Sequence, residues 1–250
     1  ASMAAGNCTV LKLSRNAPNV SRVLKEMLKK HFYDFYIYVA EGGAGVNEEI
    51  FEYRYDHIFF TGSPATGRKI MAHAAKRLTP VTLELGGKSP CIVAKNADIK
   101  QAARQIAWGK ALNAGQTCVA PDYLLIERDV YEMFVEHLKK AFAQLYPDAI
   151  NNPDYSCIIN EKQLERAKDL LSGANILYGG GYNIDKRKME PTIVKIDDLN
   201  CSLMQEELFA PILPIYTVED MDEAVDIVKE REKPLALYLF TKDKALQEDI

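Results

Sequence analysis

The chain has 250 residues, 31 basic against 35 acidic side chains for a formal charge of −4, and 48% hydrophobic residues. That composition is too apolar and too evenly charged for intrinsic disorder, and its slight acidity supplies no broad positive surface for a nucleic-acid partner. No apolar run approaches the roughly 18 residues of a membrane span, and the cysteines, Cys8, Cys91, Cys118, Cys157 and Cys201, form no C-x-x-C pair. This argues against a disulfide framework or a metal site, and for reduced thiols in a cytoplasmic setting.

In chain order, the hydrophobic period alternates between two and 3.6 residues, the pattern of an α/β fold. Residues 10–13 read as strand, and Pro18 opens a helix whose apolar face is Val20, Val23, Leu24, Met27 and Leu28. Residues 35–40 are strand again. A glycine loop then leads to a short helix over 48–53, and residues 57–61 form a strand followed by a helix through Met71 and Ala75. Residues 79–85 close this half as a strand. After Gly86 and Gly87 come a strand over 91–94 and a helix capped by Asp98, with Ile99, Ala102, Ile106 and Ala107 on its inner side and Trp108 assigned to the core. Residues 123–127 are strand, and Asp129 is the expected cap of a helix burying Val130, Phe134, Leu138 and Phe142. Beyond the loop at 147–153 lie helices over 164–171 and 221–228, strands over 176–178, 193–196, 213–218 and 235–240, and the start of a helix at 244–250.

Three segments carry chemistry-bearing residues. Phe60-Thr61-Gly62-Ser63-Pro64-Ala65-Thr66-Gly67 runs from a strand into a helix start, with Ser63 as expected cap and Pro64 at the first helical position. Such a start offers free N–H groups to an anion, and Gly62 lets it approach the backbone; a simply well-capped helix is the other reading. In Leu83-Glu84-Leu85-Gly86-Gly87-Lys88, a carboxylate ends an apolar strand. Partly buried, Glu84 would have a raised pKa and act as a general base; alternatively it pairs with Lys88 or faces water. Asn113-Ala114-Gly115-Gln116-Thr117-Cys118 places a thiol in a polar, small-residue loop, open to a substrate and to oxyanion-binding N–H groups. The other four cysteines read as buried and inert, Cys8 and Cys91 because they lie in or beside apolar strands. A fourth segment, Glu206-Glu207-Leu208-Phe209-Ala210-Pro211, is acidic and then apolar.

Together and in this order, F-T-G-S-x-x-x-G, L-E-L-G-G-K-S-P, G-Q-T-C, E-E-L-F-A-P and P-L-A-L make the whole chain resemble the aldehyde dehydrogenase superfamily. The A-P-D-Y after Cys118 and the P-D-Y at Pro153 to Tyr155 are similar to its class 3 branch, whose members oxidise fatty and aromatic aldehydes. The resemblance implies part of a Rossmann-type NAD(P)-binding domain over residues 1–85 and part of an α/β catalytic domain over 86–250. It implies that Cys118 attacks the aldehyde to give a thiohemiacetal, that hydride passes to NAD or NADP, and that Glu84 activates water to hydrolyse the thioester. It implies further that Gly62, Ser63, Pro64, Ala65, Thr66 and Gly67 hold the pyrophosphate, that Lys12 holds the adenosine ribose, and that Glu207 and Phe209 hold the nicotinamide ribose and ring. The family commonly has an acidic residue after K-P-S, where this chain reads Lys12-Leu13-Ser14-Arg15. Arg15 cannot accept bonds from ribose hydroxyls but can pair with a 2′-phosphate, which implies use of NADP alongside NAD. The family's first strands, an oxyanion-hole Asn and its closing oligomerisation strand have no counterpart in the sequence, so the chain reads as the middle of such an enzyme, whose parent is a homodimer. Two other readings are a catalytically silent folded unit and a coenzyme A-acylating enzyme, the latter disfavoured by Glu84.

Overall fold

The structure is a computed structural model and describes residues 1–249. By its internal contacts the chain divides into two compact units, residues 1–60 with 65–83, and residues 61–64 with 84–250.

In the first unit β1 (Thr9–Lys12) is followed by α1 (Pro18–His31), β2 (Ile37–Ala40) and α2 (Ala44–Phe51). β1 and β2 pair in parallel, with Thr9 opposite Ile37 and Lys12 opposite Ala40. Leu13, Ile37 and Val39 form the buried centre, against which Leu24 and Leu28 of α1 pack. The other three residues of the expected apolar face are exposed, Val20 at 60%, Val23 at 54% and Met27 at 48%. A two-stranded ladder spans only about 5 Å between strand axes and covers one stripe of a helix, not the whole face. β3 (Ile58–Gly62) leads directly into α3 (Pro64–Ala75) and pairs with β4 (Val81–Leu85). Pro64 is the first residue of α3, as expected from its missing N–H and fixed φ. The helix predicted over 48–53 begins earlier, at Ala44, so Gly45 lies inside it.

The second unit is built on a six-stranded sheet. Its strands are β5 (Pro90–Val93), β6 (Tyr123–Glu127), β7 (Asn175–Tyr178), β10 (Thr192–Lys195), β11 (Ile212–Val218) and β12 (Tyr238–Phe240), in the order β12-β5-β6-β11-β10-β7. All neighbouring pairs are parallel except β10 with β7, where a bulge lies between Ile193 and Val194. A separate hairpin joins β8 (Tyr182–Asn183) to β9 (Lys188–Met189). β5 and β6 are buried on both faces, as strands covered by crossover helices must be. α4 (Ile99–Ala111) and α5 (Tyr131–Leu145) pack on each other, and Phe134, Leu138 and Phe142 are buried. A large buried side chain of this kind contributes roughly 1.5–3 kcal/mol. α6 (Glu161–Leu170), α7 (Met221–Lys229) and α8 (Lys244–Asp249) complete the unit; Ile250, placed in the last helix by its sequence, lies outside the described residues.

Asp98 caps α4 as expected, accepting from Gln101 N–H at 3.0 Å, and Asn160 and Asp220 do the same for α6 and α7; each such cap contributes about 1 kcal/mol. Asp129 does not cap α5, because residues 128–130 form a turn of 3-10 helix that carries the chain into it without a side-chain cap. Trp108 is 54% exposed, a correction explained by period: it shares the outer stripe of α4 with Gln101, Arg104 and Gln105. The last strand is shorter than its apolar run, since residues 235–237 only approach the sheet. Among the described residues no helix is long and apolar enough to cross a membrane.

Candidate functional site

The parallel direction of the sheet gathers the motif-bearing loops. Gly86 to Ser89 enter β5, Cys118 to Asp122 enter β6, and Glu207 to Pro211 enter β11, so all three lie at the amino ends of their strands. Register holds two of them side by side: Pro90 faces Tyr123, and Asp122 N–H donates to Ser89 C=O at 2.8 Å. Sites of open parallel sheets usually form at the carboxyl ends. Glu84 has such a position near the carboxyl end of β4, as do Lys12 at the end of β1 and Gly62 at the end of β3.

The loop carrying Cys118 is held in an uncommon conformation. Asn113 and Ala114 have φ of +51° and +52°, and Gly115 follows at +72°. Non-glycine residues in this region cost about 1–3 kcal/mol each and persist where the surroundings dictate them. Here Gln116 does so: its side-chain amide donates to Asn113 C=O at 2.9 Å and Cys157 C=O at 3.0 Å and accepts from Ile159 N–H at 2.8 Å. Gly115 is required by space as well as by φ, since a Cβ there would lie 2.2 Å from the carbonyl oxygen of Ala210. A tight turn follows, Ala120 N–H to Thr117 C=O at 3.0 Å, and leaves Cys118 exposed. Tyr238 of β12 closes the far side by donating to Val119 C=O.

Cys91 is buried, and its thiol is pushed strongly upward by desolvation, so it is inert. Cys201 is half-buried. Cys8 and Cys157, read as buried, are exposed, because each lies ahead of the apolar residues that enter its core.

Glu207 is a half-buried carboxylate. It packs on Gly86 so closely that a Cβ on that glycine would lie 2.1 Å from its Oε1, and it accepts from the Gly87 N–H. Burial first, and the neighbouring Asp122 charge second, push its pKa upward, while that backbone bond, Lys110 and Lys88 oppose the shift. Three charged side chains fix the backbone around it. Arg166 of α6 donates to the carbonyls of Glu207 and Leu208, both at 2.8 Å, and Asp122 accepts from Leu208 N–H at 2.9 Å. Lys88 donates to Asp122, to Leu203 C=O at 2.8 Å and to Glu206 C=O at 3.1 Å. Lys88 therefore pairs with Asp122 and not with Glu84. Beyond this clamp, Phe209 is exposed with φ +46°.

Glu84 is exposed, and its carboxylate faces water. Gly62, Ser63 and Pro64 belong with the second unit and form the entry to α3; Ala65 and Thr66 are exposed and Gly67 is buried. In the first unit, Lys12 Nζ donates to Leu13 C=O at 2.7 Å, Ser14 Oγ accepts from Asn16 N–H at 3.2 Å, and the Arg15 guanidinium passes over Gly43. Among the described residues no group of three or more His, Cys, Asp or Glu side chains gathers as a metal would require.

The side chains the motifs did not single out are Asp122, Lys110, Arg166 and Gln116. Lys110 had a readable signal: it follows Ala103, Ile106 and Ala107 at helical spacing, on the stripe that must be inside. Arg166 and Gln116 act on backbone atoms distant in sequence, which no spacing encodes.

Known proteins match the chain along its whole length. The model of the Aldehyde dehydrogenase family matches residues 1–250. The chain is 43% identical over 245 residues to mouse (Mus musculus) Aldehyde dehydrogenase family 3 member A2, covering 98% of this chain and 51% of that protein. It is 43% identical over 243 residues to the rat (Rattus norvegicus) Aldehyde dehydrogenase, dimeric NADP-preferring, covering 97% and 54%. Among solved structures it is similar to Staphylococcus aureus AldH in a substrate-bound state, with TM-score 0.95, 41% identity, and 99% and 55% of the two chains covered. An aldehyde dehydrogenase of Mycobacterium tuberculosis complexed with NAD+ gives TM-score 0.88 at 28% identity, covering 98% and 53%. The chain spans about half the length of the relatives it matches.

Proposed function

The chain belongs to the aldehyde dehydrogenase family, and from that premise we propose that it is the nucleophile-bearing part of an enzyme that oxidises a fatty or aromatic aldehyde to a carboxylate with NAD or NADP. The observation that carries the reading is the exposed Cys118, presented by a left-handed loop that is braced by Gln116 and wedged on Ala210, beside the segment that seats Glu207.

In this reading the Cys118 thiolate forms a bond to the aldehyde carbon, and the carbonyl oxygen becomes an oxyanion that accepts from the Cys118 backbone N–H. The coenzyme, when bound, accepts the hydride released from the thiohemiacetal carbon. Glu84 then takes a proton from water, the water oxygen adds to the thioester, and Cys118 leaves as thiolate with the carboxylic acid as product. Glu84 takes this part from the resemblance alone, since its side chain is exposed and not partly buried. The residues present fit a dinucleotide. Gly62 to Gly67 offer a strand-to-helix start for the pyrophosphate. Lys12, Ser14 and Arg15 serve the adenosine ribose and its 2′-phosphate, and Glu207 with Phe209 serves the nicotinamide ribose and ring. We read residues 1–85 as part of the coenzyme domain and 86–250 as part of the catalytic domain, in a cytoplasmic parent that pairs as a homodimer. A coenzyme A-acylating reaction is disfavoured by the water-facing Glu84.

The test is reduced-coenzyme formation from a medium-chain aldehyde by the 250-residue chain and by the longer parent, each with NAD and with NADP. Cys118→Ala is expected to cost at least about a thousandfold in turnover and to abolish the covalent adduct seen by mass spectrometry. Turnover that survives in Cys118→Ala would sink the assignment. An active parent beside a folded but inactive 250-residue chain would make this chain a silent unit of that enzyme, and turnover with NAD alone would remove the role given to Arg15.

A further inference from the structure

Lys110 stands apart from every other charged group described so far. It lies in the last turn of α4, its side chain is fully buried, and its Nζ has no hydrogen-bond partner among the described residues. A buried ammonium without partners is costly and is retained where its charge is used. Lys88, which interacts with it electrostatically, is a contrast: its three donors are all taken, by Asp122, Leu203 C=O and Glu206 C=O. Both oxygens of Asp122 are likewise engaged, by Lys88 and by Leu208 N–H. The remaining carboxylate that faces Lys110 is Glu207, pressed on Gly86 with one bond from Gly87 N–H.

We propose that Lys110 is a positioning residue that keeps the half-buried Glu207 carboxylate ionised and seated on Gly86, acting by charge through the buried cluster and not by a hydrogen bond. Two opposing influences decide the state of Glu207. Desolvation and the Asp122 charge favour its neutral form; the Gly87 N–H, Lys110 and Lys88 favour its charged form. Of these three, Lys88 is held to Asp122 by a hydrogen bond, whereas Lys110 has none and acts by charge alone, on Asp122 first and then on Glu207. Lys110 feels the reciprocal field. Its pKa is lowered to about 8 by burial and by Lys88, against the pull of Asp122 and Glu207. Arg231, which donates to the Met204 and Leu199 carbonyls, acts on Lys88 and helps to lower its pKa. Between the pKa of Glu207 and about 8 both partners are charged, and above that window Lys110 loses its proton and the support ends.

The consequence for binding rests on the reading of Glu207 as the acceptor for ribose hydroxyls of the coenzyme, because only an ionised carboxylate offers acceptors alone. The proposal about Lys110 itself does not.

The experiment is a carbon NMR titration of the Glu207 carboxyl in the 250-residue chain and in Lys110→Met, with the signal assigned by Glu207→Gln. Methionine keeps the unbranched stem and removes the charge. The expected result is a Glu207 ionisation about tenfold weaker in Lys110→Met, together with a second inflection near pH 8 in the wild type that the variant lacks. Superposable curves would overturn the proposal and leave Lys110 a packing residue. If Lys110→Met does not fold, the wild-type curve decides: an inflection near pH 8 supports the proposal and a single-step curve overturns it. Titration with NAD is run in parallel, and weaker binding by the variant on the acid side is expected. Failure of every form to bind NAD would count against the coenzyme reading of this chain, while the NMR curves would still decide the role of Lys110.

Discussion

Helices α1 and α4 carry the same amphipathic spacing and have opposite fates. α4 buries Ile99, Ala102, Ala103, Ile106 and Ala107, whereas α1 leaves Val20, Val23 and Met27 exposed and buries little beyond Ser21. The difference lies in what each helix has to lie on: a two-stranded ladder for α1, a six-stranded sheet and α5 for α4. Amphipathicity states how much apolar surface a helix offers, and the width of the partner layer states how much of it is used. The first unit therefore holds a small buried centre of Leu13, Ile37 and Val39, and the second a continuous core.

That contrast can be broken at several points. The largest effect on stability is expected for Asp122→Ala, which strands Lys88 inside and frees Leu208 N–H; breaking a buried pair costs about 3–5 kcal/mol. Urea unfolding followed by a probe in the second unit reads this, and a loss under 1 kcal/mol would mean that the pair is replaced by water. Gly115→Ala comes next, at about 2–4 kcal/mol, from a left-handed φ and a Cβ pressed on Ala210 C=O. Slower alkylation of Cys118 should accompany it, because the same wedge shapes the thiol's loop.

A third effect is one of pH. The Lys110 pKa is lowered in the folded chain to about 8 from 10.5, so between these values the unfolded state binds the extra proton and stability rises with pH. From pH 8 to pH 10 that contribution reaches about 2–3 kcal/mol, and a comparison of wild type with Lys110→Met isolates it from the like-signed shift of Lys88. A falling difference over the same interval would reverse the assignment. The smallest effect sharpens the comparison from the other side: Val23→Ser on α1 is expected to change unfolding free energy by less than about 0.5 kcal/mol, measured in the same denaturant series. A loss of 2 kcal/mol would show that the face is covered.

Much of this was legible in the order of residues. Apolar period located the strands and helices, and Asp98 and Pro64 marked helix starts. The illegible part has a common cause. The residues left Glu84 open between a partly buried base and a carboxylate paired with Lys88 or facing water, and it faces water, because a side chain alternating on a strand points to whichever layer the fold leaves open. Lys88, one of the partners the sequence offered Glu84 four residues away, pairs instead with Asp122, 34 residues away, because strand pairing overrides sequence distance. Trp108 failed by size, since a large aromatic suggests a core while its helical phase alone puts it outside. Glu206 to Phe209, acidic and then apolar in sequence and tied to the nicotinamide only by the resemblance, is fixed in place by Arg166, Lys88 and Asp122, which come from three other parts of the chain.

The placement of the site loops at the amino ends of the strands has an electrostatic side. α4 and α7 each join two parallel strands and so run against them, ending at that same edge. The unpaired carbonyls of a helix's last turn amount to roughly half a negative charge, so this edge presents helix ends that attract cations, where the opposite edge would present ends that attract anions. Lys110 closes α4, Lys229 closes α7 and Arg231 follows directly after. Buried acids at such an edge need cations among them, and the direction of the helices helps to hold those cations in place. Strand polarity thus selects the company that Glu207 and Asp122 keep.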